Sequence, residues 1–189
     1  AIGTAGAGNA ALFAVAMYRK GEKRHPNKIA LNWTLGTAIV SFVGAGLLGV
    51  AHTIPQVNLY THGTLVTAMH GHLAFWGAYA MINMAIISYT VPNMTGRKRY
   101  DTGNGVLAFW LSNIGMLGMT VAFGVAGVAQ VYMERIMGVE FGVVQQEIQV
   151  HFAILLVCAT MFTAGISLYI YEFVKYGKPT EEALQPTYS

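Results

Sequence analysis

Between Lys28 and Arg97 the chain contains no Lys, Arg, Asp or Glu, and the stretches Thr102–Met133 and Ile148–Tyr171 are equally free of charge. Water gives such runs nothing to gain, whereas about 20 consecutive apolar residues in a helix cross the hydrocarbon of a bilayer. Composition points the same way. A soluble domain carries about 25% charged residues, and this chain of 189 residues carries 10%, with 54% apolar. The expected fold class is therefore all-α, a polytopic transmembrane helix bundle.

Four complete spans and one partial helix can be drawn. Residues 4–18 are small and apolar but too short to cross, so they read as the second half of a spanning helix, in a chain that opens part-way through a longer polypeptide. Ile29–Ala51 is a full span whose Gly36, Gly44, Gly46 and Gly49 allow close approach by neighbours. Ile54 precedes Pro55 and so leaves the helical region, ending that span. An uncharged loop, Gln56–Gly63, leads to the third piece, Thr64–Val91, expected to stop at Pro92. The fourth is Gly105–Met133 and the fifth about Phe141–Tyr171, opening on the polar turn Gln145–Gln149. No second domain, no internal repeat and no signal peptide is visible.

Charge sets the orientation. Arg19–Lys28 holds five Lys and Arg, Arg97–Arg99 three and the tail two (Lys175, Lys178), leaving only Arg135 elsewhere. Ten of eleven thus fall on alternate connections, which the positive-inside rule places in the cytoplasm. His52, His62 and Glu134 then lie outside. His70, six residues past Thr64, lies about 9 Å along its helix, in the outer half of the membrane. The formal charge of +3 implies no nucleic-acid partner, because the basic residues flank spans; lipid is the expected surrounding.

The chemistry rests on His70-Gly71-His72. Two residues apart on a helix, the imidazoles point about 200° from each other and cannot share one metal ion. They can hold two irons on opposite sides of one helix, each in a planar cofactor. A proton relay in a transporter also uses buried histidines, and ordinary polar faces in a bundle remain an alternative. Phe75, Trp76 and Tyr79 are placed to edge a porphyrin or simply to pack. His62, one turn before the helix, is a weak candidate for a haem propionate contact, and as readily an interfacial residue. Glu147 and His151, four apart, have ligand-capable spacing but read better as an interfacial pair. Thr53 and Asn58 read as turn residues, His25 as a solvated loop residue, and the single cysteine, Cys158, as packing. No GxGxxG, Walker, CxxC or HExxH motif is present, so nucleotide, dithiol and zinc-protease chemistry have no footing.

The run His52-Thr53, Asn58-Leu-Tyr60-Thr-His-Gly63, Thr67-Ala-Met-His70-Gly-His72-Leu-Ala-Phe75 and Gly77-Ala-Tyr79 resembles the haem-copper oxidase superfamily. Within it, these residues, with His25-Pro-Asn-Lys28 and Glu134-Arg135-Ile-Met-Gly138, are similar to the catalytic subunit of bacterial cytochrome c-dependent nitric oxide reductases. The resemblance implies that residues 1–189 are a single membrane domain, the C-terminal five helices of a twelve-helix subunit. It makes His70 the axial ligand of high-spin haem b3, where nitric oxide is reduced, and His72 one axial ligand of low-spin haem b. It implies a non-haem iron too, whose ligands are not in this chain, so the enzyme is an oxidoreductase active only with the upstream metal-binding helices. Expected partners are the remainder of the catalytic subunit and a c-type cytochrome or other outer donor. Electrons would pass through the low-spin haem to haem b3. The expected location is the bacterial cytoplasmic membrane, multi-pass, with the haem sites towards the periplasm. One departure is plain: the family has a glutamate near the start of the first helix, and Ala1–Ala10 contains no acid. Quinol-dependent nitric oxide reductase, oxygen-reducing oxidases and a non-catalytic haem-b electron-transfer subunit share the same histidines and stay open.

Overall fold

A computed structural model describes residues 27–96 and 102–175. Within them lie four helices long and apolar enough to span a membrane: α1 (Lys28–Thr53), α3 (Leu65–Met94), α4 (Gly103–Ile136) and α6 (Gln149–Lys175). Two short helices, α2 (Pro55–Thr61) and α5 (Phe141–Glu147), sit in the connections after α1 and α4. Among the described residues there is no strand, and the architecture is all-α. The partial helix expected over residues 4–18, the acid-free Ala1–Ala10 and His25 lie outside the described residues.

The spans alternate in direction. At one end Asn27 Nδ2 donates to Ser88 O at 2.7 Å, Ser88 Oγ and Tyr169 Oη lie 3.1 Å apart, and Asn104 Nδ2 donates to Glu172 Oε1 at 2.6 Å. The start of α1, the end of α3, the start of α4 and the end of α6 therefore meet there, at the end that carries Lys28 and Lys175. At the other end Gln130 Oε1 of α4 accepts the Leu65 N–H of α3 at 2.9 Å.

Helices in lipid gain little from burying apolar surface against one another, so they associate where small residues let backbones close up. A Cβ on Gly44 would stand 2.7 Å from the Leu73 carbonyl carbon, and one on Gly77 would stand 2.5 Å from Ser41 N, which makes α1 and α3 a backbone-to-backbone contact. Cys158 packs in the α4–α6 seam against Gly118. Fully buried Trp33 of α1 anchors the middle, edge-on to Trp76, Phe109 and Tyr169 at 6.0, 5.0 and 5.8 Å. The outward faces, including Ile39, Leu47, Leu117 and Leu156, are apolar and exposed, a surface suited to lipid or further helices.

Three boundaries differ from the sequence expectation. The helix does not stop at Pro92 but continues to Thr95, where Gly96 at φ 61° ends it. Pro92 has no N–H for the carbonyl four residues back, Ser88 O, and the Asn27 side chain supplies the donor instead. That same Asn27 caps α1 by accepting from Ala30 N–H at 3.0 Å. The uncharged loop Gln56–Gly63 is mostly helical, because Pro55 suits the first position of a helix. The run from Phe141 is broken at buried Ile148, the residue that separates α5 from α6 in the chain.

Candidate functional site

The first turns of α3 set the height of the histidine pair. Thr64 caps the helix, its Oγ1 accepting from Val66 N–H at 3.3 Å, while Thr67 Oγ1 donates back to Thr61 O at 2.8 Å. Beyond these ties α3 runs regularly through Phe75. His70 and His72 leave it on opposite sides, as residues two apart must. The His70 ring lies against α1, stacked on His52 with centroids 4.8 Å apart and planes 20° from parallel. The His72 ring lies against α4, 4.9 Å from the Phe123 ring.

Each ring is fixed through the same nitrogen. His70 Nδ1 lies 2.9 Å from Gly44 O and His72 Nδ1 lies 2.8 Å from Ala68 O. A carbonyl only accepts, so both Nδ1 atoms carry the proton and both Nε2 atoms present a lone pair. This is the arrangement seen around metal-bound histidines, where a second hydrogen bond fixes tautomer and ring direction. A local irregularity makes the Gly44 carbonyl available. Residues Phe42–Leu47 form a π turn in which Leu48 N–H bonds Val43 O, five residues back, rather than Gly44 O.

His72 opens onto a groove of about 720 Å³ lined by Phe75, Trp76, Met84, Met116 and Phe162 among others, within the size range of cofactor sites. Among the described residues no three His, Cys, Asp or Glu side chains converge on a point. Each imidazole thus offers a single donor, which suits a group bringing its remaining ligands with it, as a porphyrin does. His52 and His70 are stacked rather than convergent and do not form a chelating pair.

The other candidates separate. Phe75 and Trp76 both line the groove, Trp76 from the core, where its indole N–H donates to Asn113 Oδ1 at 3.2 Å, and Tyr79 points outwards against Phe75. His62 is exposed at the end of α2, and its carbonyl accepts from Arg135 Nη2 at 3.4 Å. Gln130 Nε2 donates to Glu134 Oε1 at 3.0 Å, so the π turn Val131–Ile136 gathers an acid and a base beside the approach to α3. Thr53 Oγ1 donates to Val50 O, as a turn residue would. Glu147 and His151 straddle the break at Ile148 and no hydrogen bond joins them; His151 Nδ1 bonds Ile148 O. Sequence reasoning named Gly44 for its close approach but missed its carbonyl as the partner of His70, and missed the contact of His52 with His70. Their common signal was the glycine-rich Phe42–Leu47, and no spacing rule announces a π turn.

The chain matches the family described as Cytochrome C and Quinol oxidase polypeptide I over residues 3–173. It is 38% identical over 175 residues to a nitric oxide reductase subunit of Stutzerimonas stutzeri, an alignment covering 88% of this chain and 37% of that protein. It is 28% identical over 88 residues to cytochrome c oxidase subunit 1 of Corynebacterium diphtheriae, covering 47% of this chain and 15% of that protein. The chain thus spans little more than a third of the first relative's length.

Proposed function

The chain belongs to the cytochrome c and quinol oxidase polypeptide I family, and on that premise we propose that it is the part of a nitric oxide reductase catalytic subunit that holds two haems from one helix. In this reading His70 Nε2 would hold the iron of high-spin haem b3, and His72 Nε2 would hold that of low-spin haem b. The observation that carries the reading is the pair of rings on opposite faces of α3, each with Nδ1 committed to a carbonyl and Nε2 left to bind. When bound, the two haems supply a one-electron relay and an open coordination position for substrate. The reaction is 2 NO + 2 e⁻ + 2 H⁺ → N₂O + H₂O. The greater extent and identity of the match to the nitric oxide reductase of Stutzerimonas stutzeri favour NO as substrate.

The residues of this chain act by holding. Gly44 O directs His70, Ala68 O directs His72, and one helix keeps the two ligands at a fixed separation, so electron transfer needs little rearrangement. His62, whose carbonyl accepts from Arg135 Nη2, would contact a propionate. The non-haem iron belongs to segments of the enzyme outside this chain, and electrons come from a c-type cytochrome on the outer face. The protein lies in the bacterial cytoplasmic membrane, its basic connections inside and His70 and His72 towards the periplasm.

Reduced-minus-oxidised spectra of single variants test the assignment. His72→Ala removes the low-spin band and leaves a five-coordinate haem, and His70→Ala does the reverse. Enzyme without haem, or folded variants that each lose both bands equally, would overturn it. A second reading, oxygen reduction, is favoured by the match to cytochrome c oxidase subunit 1; consumption of O₂ without turnover of NO decides for it. Haem bands without reaction towards either gas point to an electron-transfer subunit.

A further inference from the structure

His52 is the one imidazole near the pair that the reading above leaves idle. It sits in the last turn of α1, its Nδ1 donating to Leu48 O at 2.8 Å. Its Nε2 is buried with no hydrogen-bond partner among the described residues. Its ring lies flat against His70, 20° from parallel and 4.8 Å away.

We propose that His52 is a positioning residue for His70, fixing the plane of that ring as Gly44 O fixes its direction. The inference rests on His70 being an iron ligand. A single bond from Nδ1 to a carbonyl pins one atom of the ring but lets the ring tip about that bond, and the terminal torsion of histidine is soft. A second ring laid on its face removes the remaining freedom. Because His52 is itself held by Leu48 O, α1 constrains His70 at two points.

The π turn is what allows both points to come from one helix. On an unbroken α-helix residues eight apart, such as 44 and 52, are about 80° out of register. One extra residue wound into Phe42–Leu47 makes them equivalent to residues seven apart, within about 20° of each other. Gly49, between them, leaves the edge of His70 uncovered: even a Cβ there would stand 3.6 Å from His70 Cε1. Carbonyl, gap and imidazole thus follow one another along the face of α1 that meets His70.

The test uses the full-length haem-loaded enzyme in detergent, with His52→Phe, His52→Leu and His52→Gln. The iron–histidine stretching band of the reduced high-spin haem reports the His70 ring directly, and the low-spin band on His72 reports that the protein is folded. His52→Phe keeps a flat ring and leaves the stretching band at its wild-type position. His52→Leu and His52→Gln shift and split the band and weaken retention of the high-spin haem about 10-fold, the scale of lost outer support around a metal ligand, with the low-spin band intact. Because Gln keeps a polar side chain, it serves where Leu fails to assemble. A wild-type band in His52→Leu or His52→Gln, or equal damage in His52→Phe, overturns the role of the ring. Wild-type enzyme that retains haem but shows no iron–histidine band overturns the ligand assignment itself, before any variant is compared.

Discussion

Adding one methyl group to Gly44 should uncouple His70 from α1. A Cβ there would stand 2.7 Å from Leu73 C, 2.8 Å from Ala74 N and 2.9 Å from Leu73 O, all backbone atoms of α3 that cannot rotate away. Ordinary contact begins at about 3.4 Å, so the helices must part by about 0.7 Å. The bond from His70 Nδ1 to Gly44 O starts at 2.9 Å and would open to about 3.6 Å, beyond hydrogen-bonding range. Overpacking costs about 1–3 kcal/mol and the lost bond about 1 kcal/mol more. Gly44→Ala should therefore lower stability by about 2–4 kcal/mol and release the high-spin haem before the low-spin one. The assay follows both bands during a thermal ramp in detergent. The high-spin transition should fall by about 5 °C or more. Gly142→Ala on α5 is the matched control, since its Cβ would meet only the flexible Glu140 carboxylate, at 3.2 Å, and it should melt like wild type. A Gly44→Ala enzyme with wild-type bands and melting would refute both the close approach and its coupling to His70.

Three further outcomes are expected. Gln130→Leu leaves the Leu65 N–H without its acceptor in a buried setting. It should cost about 2 kcal/mol and lower the loss temperature of both haem bands together, because it loosens the start of α3 rather than either ligand. Asn27→Ala removes the cap of α1 and the donor to Ser88 O, about 1 kcal/mol each. Asn27→Asp should regain only the cap half in the same thermal ramp. In sealed cells, an impermeant thiol reagent should label Leu59→Cys on α2 from outside and leave Met94→Cys at the far end of α3 untouched. Both positions are exposed, so labelling of Met94→Cys instead would reverse the orientation.

Much of the fold was legible because charge is so costly in hydrocarbon. Apolar runs marked three spans to within a few residues and the fourth with its start about eight residues early, and the basic segments grouped the same helix ends that the Asn27–Ser88 and Asn104–Glu172 bonds bring together. The opposite outlook of His70 and His72 needed only the helical repeat. Illegible were features depending on partners distant in sequence. Pro92 reads as a terminator, and the donor that replaces its missing N–H at Ser88 O comes from Asn27, 61 residues away. His52 and Gly44 gave no sign of converging on His70, since a regular repeat puts them on different faces. Trp76 lines the His72 groove as its spacing suggested, and only the structure shows that Trp33 and Phe162 hold it in the core as well.

The two histidines share a backbone with a single residue between them, yet each is braced by a different wall, His70 by α1 and His72 by the flank towards α4. A sideways slip of α3 towards α1 would press the first ring onto its support while drawing the second away from Phe123. A substitution that shifts α3 therefore alters the surroundings of the two rings in opposite senses, crowding one and loosening the other.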